Sequence, residues 1–119
     1  MEEHTAQEQA LEIARLLEDG RAEAVTVIDI SAQSSWTDCF VIATVSSAVH
    51  LQGLARQVRD YAVANGMQLH RTHNKTADGD NWRLLDFGMV VVHLLSAEAR
   101  GFYELEKLWH SGKVLRPLN

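Results

Sequence analysis

The sequence of 119 residues has little of several things, and each shortage excludes a class of protein. It has one cysteine, Cys39, which excludes an internal disulfide and is typical of a reducing compartment. Its longest apolar run, Met89 to Leu95, is far shorter than the roughly 20 residues that cross a bilayer. The first residues lack the basic and then apolar pattern of a signal peptide. We therefore expect a cytoplasmic protein with no membrane contact.

Basic charge is scarce as well. Sixteen Asp and Glu residues outnumber eleven Lys and Arg residues, which gives a net charge of −5, and no run of Lys and Arg interrupts the sequence. Because nucleic acids are bound mainly through a basic face, we do not expect direct nucleic-acid binding to be the main mode of action. Glycine-rich phosphate loops are absent too, so the sequence predicts no cofactor.

The pattern of apolar residues predicts one α/β domain over residues 1–119, with a core from about 6 to 110 and a frayed tail from 111 to 119. The predicted order is α-β-β-α-β-β-β-α, with about five strands in a mixed sheet flanked by helices. The predicted elements are a helix over Ala6–Leu17, strands over Ala24–Ile30 and Asp38–Val45, a helix capped by Ser46 or Ser47 that ends near Ala64, a strand over Met67–Arg71, a polar loop over Thr72–Asp80, and a last helix from Ala97 to about His110.

A β-hairpin between Asn81 and Leu95 is the most informative stretch. Its leading strand, Trp82 to Leu85, contains Arg83 beside the tryptophan, and its return strand, Met89 to Leu95, is apolar at nearly every position. The return strand is therefore expected to lie in the middle of the sheet. The tripeptide Asp86-Phe87-Gly88 is expected to form the turn, since glycine adopts positive φ without steric cost.

Several residues suggest chemistry but have a simpler structural interpretation. Asp86-Phe87-Gly88 matches the magnesium-binding tripeptide of protein kinases, yet the other kinase motifs are missing, so we interpret it as a turn. The spacing of the histidines and aspartates does not favour a metal site, and Cys39 has no cationic neighbour that would make it a nucleophile. The residues considered for a metal are His70, His73, His93, Asp78 and Asp80.

Trp82 leaves two interpretations open. It is either a core tryptophan or a partly exposed anchor for a partner, since Trp, Tyr and Arg dominate the energetics of interfaces. The polar loop before it and Arg83 after it favour exposure. Trp36, in another polar stretch, is a weaker candidate of the same kind.

Four ordered motifs resemble the ribosomal silencing factor family, also called Iojap-like. They cover the chain from about Leu11 to Trp109. The motifs are Thr37-Asp38-Cys39-Phe40-Val41-Ile42-Ala43-Thr44, Trp82 through Gly88, Val90-Val91-Val92-His93, and Arg100 through Trp109. The resemblance implies a nucleotidyltransferase-like fold without the catalytic acids, and therefore a protein that is not an enzyme.

The resemblance also implies a partner and a mechanism. Family members bind the large ribosomal subunit through large-subunit ribosomal protein fourteen, block its joining to the small subunit, and so repress translation when nutrients are short. Carried over by position, the partner-binding residues are Trp82, Asp86, Phe87, Gly88 and Tyr103. The sequence departs from the family pattern at Val45, usually glycine, at Met89, usually an acid, and in the loop Thr72–Asp80.

Two alternatives accompany this interpretation. The first is a nucleotidyltransferase-like enzyme or nucleotide-binding protein, although no paired-aspartate strand that could hold two metal ions is evident. The second concerns assembly, since an isologous homodimer that uses the same exposed strand would compete with the ribosome.

Overall fold

Three helices alternate with six strands in the part of the chain that the computed structural model describes, namely residues 5–32, 35, 37–74, 82–103 and 113–116. In chain order the elements are α1 (Ala6–Asp19), β1 (Glu23–Asp29), β2 (Cys39–Val45), α2 (Ala48–Ala64), β3 (Arg71–Asn74), β4 (Trp82–Asp86), β5 (Val90–Ser96), α3 (Ala97–Tyr103) and β6 (Lys113–Arg116). This confirms the mixed α/β class and adds one strand to the predicted order.

The six strands form one sheet in the order β3-β4-β5-β2-β1-β6. At its centre β2 and β5 run parallel, from Cys39 opposite Val90 to Val45 opposite Ser96. All other neighbours are antiparallel. The two central strands are buried on both faces, as their continuous apolar sequence predicts.

The two faces of the sheet belong to two separate apolar cores. One core joins the sheet to α1 and α2, and the other contains Ala99 of α3. Alternation along β5 assigns its side chains to these cores, with Val90, Val92 and Leu94 in the first and Val91 and Leu95 in the second. Among the described residues, no helix is both long and apolar enough to cross a membrane.

The helix ends carry residues that favour capping, including Ser47, one of the two predicted caps of α2. Thr5 and Glu8 form a reciprocal capping box at the start of α1. The hydroxyl of Ser47 accepts a hydrogen bond from the backbone N–H of His50 and so caps α2. Gly66 has φ +74° just after α2, as expected of a glycine that ends a helix.

The predicted strand over Met67–Arg71 is wrong, because Met67 still belongs to the end of α2. Its N–H donates to the carbonyl of Ala62 at 2.8 Å, which closes a Schellman motif with Gly66. The strand begins only at Arg71, where it pairs with β4, so part of the predicted loop Thr72–Asp80 is strand. Residues 75–81 lie outside the described part.

The predicted frayed tail is wrong for Lys113–Arg116, which forms the edge strand β6 beside β1. Its four residues are too few to show an alternating pattern, and the open edge of β1 supplies the pairing. β2 and β3, the two strands that α2 connects, run parallel to each other according to the pairings. However, β4 and β5 lie between these two strands. Residues 104–110, where the last helix was predicted to continue, lie outside the described part.

A buried arginine connects α3 to the sheet. Arg100 is 8% exposed, and its guanidinium donates hydrogen bonds of 3.0 Å to the hydroxyls of Thr26 on β1 and Thr44 on β2. Hydrogen bonds that involve a charged group are stronger than neutral ones. Arg100 therefore holds the first turns of α3 against two adjacent strands.

We expect Arg100→Met to lower the free energy of unfolding by about 2–3 kcal/mol, because it removes two charged hydrogen bonds from a buried site. Urea denaturation followed by circular dichroism measures the change. Arg15→Met, at an exposed position of α1, is the control and should shift stability by no more than about 0.5 kcal/mol. Equal shifts in the two variants would contradict the role of Arg100.

Candidate functional site

The β4–β5 turn is built from its own backbone and one carboxylate. The side chain of Asp86 accepts a hydrogen bond of 2.8 Å from the N–H of Gly88, and the N–H of Phe87 donates to the carbonyl of Val90. Gly88 has φ +83°, as predicted for the turn glycine. This geometry supports the interpretation of Asp86-Phe87-Gly88 as a turn, since the aspartate is used to shape it.

The turn is fixed to strands on both sides. The carbonyl of Met89 accepts hydrogen bonds from the N–H groups of Asp38 and Cys39, at 3.0 and 3.1 Å. On the other side, the N–H of His70 donates to the carbonyl of Asp86 at 2.7 Å. We call this end of the sheet the hairpin end, defined by Leu69, His70, Gly88, Met89 and Asp38. Its backbone is held by at least three strands, so it presents a preformed surface.

The predicted partner-binding residues differ in their exposure at the hairpin end. Asp86 and Phe87 are buried, with 7% and 5% exposure, and Phe87 packs into the core beneath α1 and α2. Gly88 is half-buried, and Met89 is 53% exposed. A partner would therefore meet Gly88 and Met89, while Asp86 and Phe87 set the shape of the turn from below.

Two carboxylates, Asp29 and Asp38, lie at the same end of the sheet as the exposed methionine. Asp38 precedes β2, and Asp29 ends β1 directly opposite Cys39. Both carboxylates contribute, after the larger effect of burial, to raising the pKa of the Cys39 thiol to about 12. Asp29 is also structural, because its Oδ1 accepts hydrogen bonds from the N–H and the hydroxyl of Ser31. The hairpin end is therefore an apolar tip with acidic neighbours.

The expectation that Trp82 is partly exposed is wrong, since it is only 8% exposed. It lies opposite Leu95 on the face of the sheet that α3 covers, in the same core as Phe40. Its indole N–H donates to Nδ1 of His93 at 3.1 Å, which leaves Nε2 to carry the proton of the neutral imidazole. Trp82 is therefore a core residue in this structure, and its place in the partner-binding surface stays a prediction.

The remaining residues that the sequence suggested for a metal site or a catalytic nucleophile give little support for either. His93 lies in the core with its ring centroid 4.9 Å from that of Phe40. His70 is exposed beside Gly88, far along the sheet from where Trp82 begins β4. Among the described residues, no three His, Cys, Asp or Glu side chains form a metal-binding group. Asp78, Asp80 and Trp36 lie outside the described part, as do the side chains of His73 and Tyr103.

Comparison with known proteins adds the decisive observation to this geometry. Residues 3–118 match the sequence profile of the family described as "Ribosomal silencing factor during starvation". The chain belongs to the ribosomal silencing factor family. It is 43% identical over 105 residues to "Ribosomal silencing factor RsfS" of Treponema pallidum, an alignment that covers 87% of this chain and 92% of that protein.

More distant relatives of the silencing factor family agree in sequence and in fold. The chain is 34% identical over 98 residues to "Mitochondrial assembly of ribosomal large subunit protein 1" of Mus musculus, covering 82% of this chain and 43% of that protein. A crystal structure of a protein from Chromobacterium violaceum superposes with a TM-score of 0.81 at 27% identity, covering 90% of this chain and 88% of the other. The fold is thus shared with an experimentally solved protein.

Within this silencing factor fold, sequence reasoning located the hairpin turn but missed its surroundings. The sequence marks Asp38 only as part of a strand motif, and it marks Met89 as the first residue of a core strand and as a departure from the family pattern. One feature of the sequence could have indicated that Met89 is exposed, namely its position directly after the turn glycine. The pairing of β5 with β2 begins only at the next residue, Val90.

We expect Gly88→Ala to destabilise the protein by at least about 1–2 kcal/mol, since an alanine at positive φ is strained. Its Cβ would also lie only 3.0 Å from Nε2 of His70. Urea denaturation measures the effect. The control is Gly53→Ala, inside α2, where a Cβ meets nothing within 4 Å and should stabilise by about 0.5–1 kcal/mol. Shifts of the same sign in both variants would refute the strain argument.

We expect the Cys39 thiol to resist modification in the folded protein. Burial and the two nearby carboxylates raise its pKa from 9.0 to about 12, which lowers the reactive thiolate at pH 8 about a thousandfold. Reaction with a chromogenic disulfide reagent, with and without guanidinium chloride, tests this. Modification should appear only on unfolding, and rapid reaction of the folded protein would show that the thiol is accessible and ionised.

Proposed function

We propose that this protein binds the large ribosomal subunit through its hairpin end and thereby blocks association with the small subunit, which represses translation when nutrients are limited. The observation that carries the proposal is the exposed Met89 on a turn whose backbone is fixed by neighbouring strands. Membership of the silencing factor family supports the ribosome as the target.

The shape of the hairpin end suits a protein partner. An exposed apolar side chain on a rigid backbone gains contact area without losing backbone entropy on binding. Methionine adapts its side chain to irregular surfaces and is common at interfaces. The half-buried Gly88 beside it lets a partner approach the backbone closely.

Charge favours a basic protein as the direct contact, and we propose large-subunit ribosomal protein fourteen, the partner implied by the resemblance. Asp29 and Asp38 lie at the same end of the sheet as the exposed tip, and the whole chain carries a net charge of −5. Complementary charge of this kind mainly accelerates encounter and fixes orientation. The name of the mouse relative, which concerns assembly of the large ribosomal subunit, also supports a large-subunit target.

A binding role accounts for the site without catalysis. The acid at the turn, Asp86, is buried and bonded to the backbone of Gly88, and Asp29 is bonded to Ser31. We propose accordingly that the protein is not an enzyme and acts in the cytoplasm by occupying a surface.

Off the ribosome, the same surface is the proposed contact of an isologous homodimer, and size-exclusion chromatography at several concentrations tests this.

The proposed block is tested with purified ribosomal subunits. Addition of the protein to large subunits before small subunits are added should reduce the fraction of complete ribosomes in a sucrose gradient. The protein itself should co-sediment with free large subunits and not with free small subunits. Undiminished association of the subunits at saturating protein would overturn the steric mechanism.

We expect Met89→Lys to weaken binding to large subunits about tenfold or more, since it places a cation where the partner is proposed to be basic and apolar. Co-sedimentation at graded protein concentrations measures this. Val49→Lys is the matched control, because Val49 is also apolar and exposed but begins α2 at the opposite end of the sheet. Equal binding by the Met89 variant and the wild type would show that the docking surface does not include Met89.

A further inference from the structure

A group of arginines lies on the side of the sheet that α2 covers, separate from the hairpin end. Arg56 and Arg59 of α2 and Arg83 of β4 line a surface recess of about 350 Å³, together with Gln52 and Asp60. We call these three arginines the arginine cluster. Three guanidinium groups face one carboxylate there, although the chain as a whole is acidic. These arginines form no run in the sequence, so the cluster exists only in the folded chain.

The fold creates the cluster by bringing two elements together. Gln52, Arg56, Arg59 and Asp60 occupy one stripe of α2, since residues three and four apart share a helix face. Arg83 faces the same side of the sheet as Leu85 and Leu94, toward the core beneath the helices, because it lies opposite Leu94 in the ladder. The stripe is exposed and Arg83 is half-buried, so the recess is open to solvent with one arginine at its inner side.

We propose that the arginine cluster binds phosphate groups of an RNA backbone next to the surface that the hairpin end contacts. This inference rests on the proposed function, which places the protein on a particle made of RNA and protein. Arginine recognises phosphate with two parallel hydrogen bonds, which distinguishes it from a simple point charge. Within the described part of the chain, Arg56 and Arg59 form no ion pair that a bound phosphate would have to replace, whereas Arg83 makes an interaction of its own.

The lining of the recess selects the phosphate backbone over bases or nucleotides. All five lining residues are polar, and none is aromatic. Recognition of single-stranded bases normally uses aromatic side chains on which the bases stack. A recess with arginines and no stacking platform is instead suited to backbone contacts that do not depend on sequence.

The position of the cluster is compatible with simultaneous contact by the hairpin end. Arg83 lies opposite Leu94, five residues along the chain from Met89, which is roughly 17 Å. A stable interface covers about 800 Å² on each partner, so both places fit within one footprint. The acidic tip would then face a basic protein while the arginine cluster faces RNA.

The experiment uses a ribosome-free RNA probe and a pair of variants with equal net charge. Arg56→Glu/Arg59→Glu removes two arginines of the cluster, and Arg15→Glu/Arg21→Glu makes the same charge change at exposed residues elsewhere. Binding of a fluorescent 20-nucleotide RNA at 50 mM salt is measured by anisotropy. We expect the cluster variant to lose at least tenfold in affinity and the control variant to stay within about threefold of the wild type. Equal losses in both variants would overturn the assignment to the cluster.

Two further measurements complete the test. The affinity of the wild type for large subunits should fall with salt more steeply than that of the cluster variant. The slopes of log K against log salt should differ by about 1.5, because the variant loses two phosphate contacts. Identical slopes would overturn the proposal. Polyglutamate that competes as well as RNA at equal charge would also overturn it, because the recess would then be a site for acidic protein. Because the RNA probe needs no ribosome, failure of the proposed function and failure of this inference are distinguished.

Discussion

The parallel pairing of β2 with β5 is the constraint on which the rest of the structure depends. Both strands are buried along their length, so neither face of the sheet can be left to water. Two helices cover one face and α3 begins the cover of the other, where the buried Arg100 reaches two strands. The same pairing starts at Cys39 and Val90, which fixes the turn just before it. The shape of the hairpin end is therefore a consequence of the central ladder.

Much of this fold is predictable from the sequence because apolar patterns and capping residues act locally. The runs that form β2 and β5, the stripes of α1 and α2, and the caps at Thr5, Ser47 and Gly66 each carry a local signal. The edge strands do not. β3 and β6 are only four residues long, too short to carry an alternating signal, and they pair with the backbone edges of β4 and β1. The order of the strands is likewise set by packing, so β2 and β3 are separated although one helix connects them.

The candidate site was predictable in its turn and not in its surface. The residues of Asp86-Phe87-Gly88 specify the turn conformation directly, but their exposure depends on strands and helices that pack around them. Trp82 shows the same limit, since its polar neighbours in sequence suggested exposure while the sheet placed its ring in a core beside His93. The arginine cluster joins residues that are distant in sequence, so a search for runs of basic residues cannot find it. A surface whose residues are brought together only by folding can be located only when the structure is known.

The central claim is that the hairpin end is the surface that meets the large ribosomal subunit. The most direct measurement is a cryo-electron microscopy reconstruction of this protein bound to that subunit. The account predicts that Gly88 and Met89 contact a ribosomal protein and that the small-subunit side of the particle is occupied by this chain. A reconstruction in which the hairpin end faces solvent, with the protein held by another surface, would contradict it.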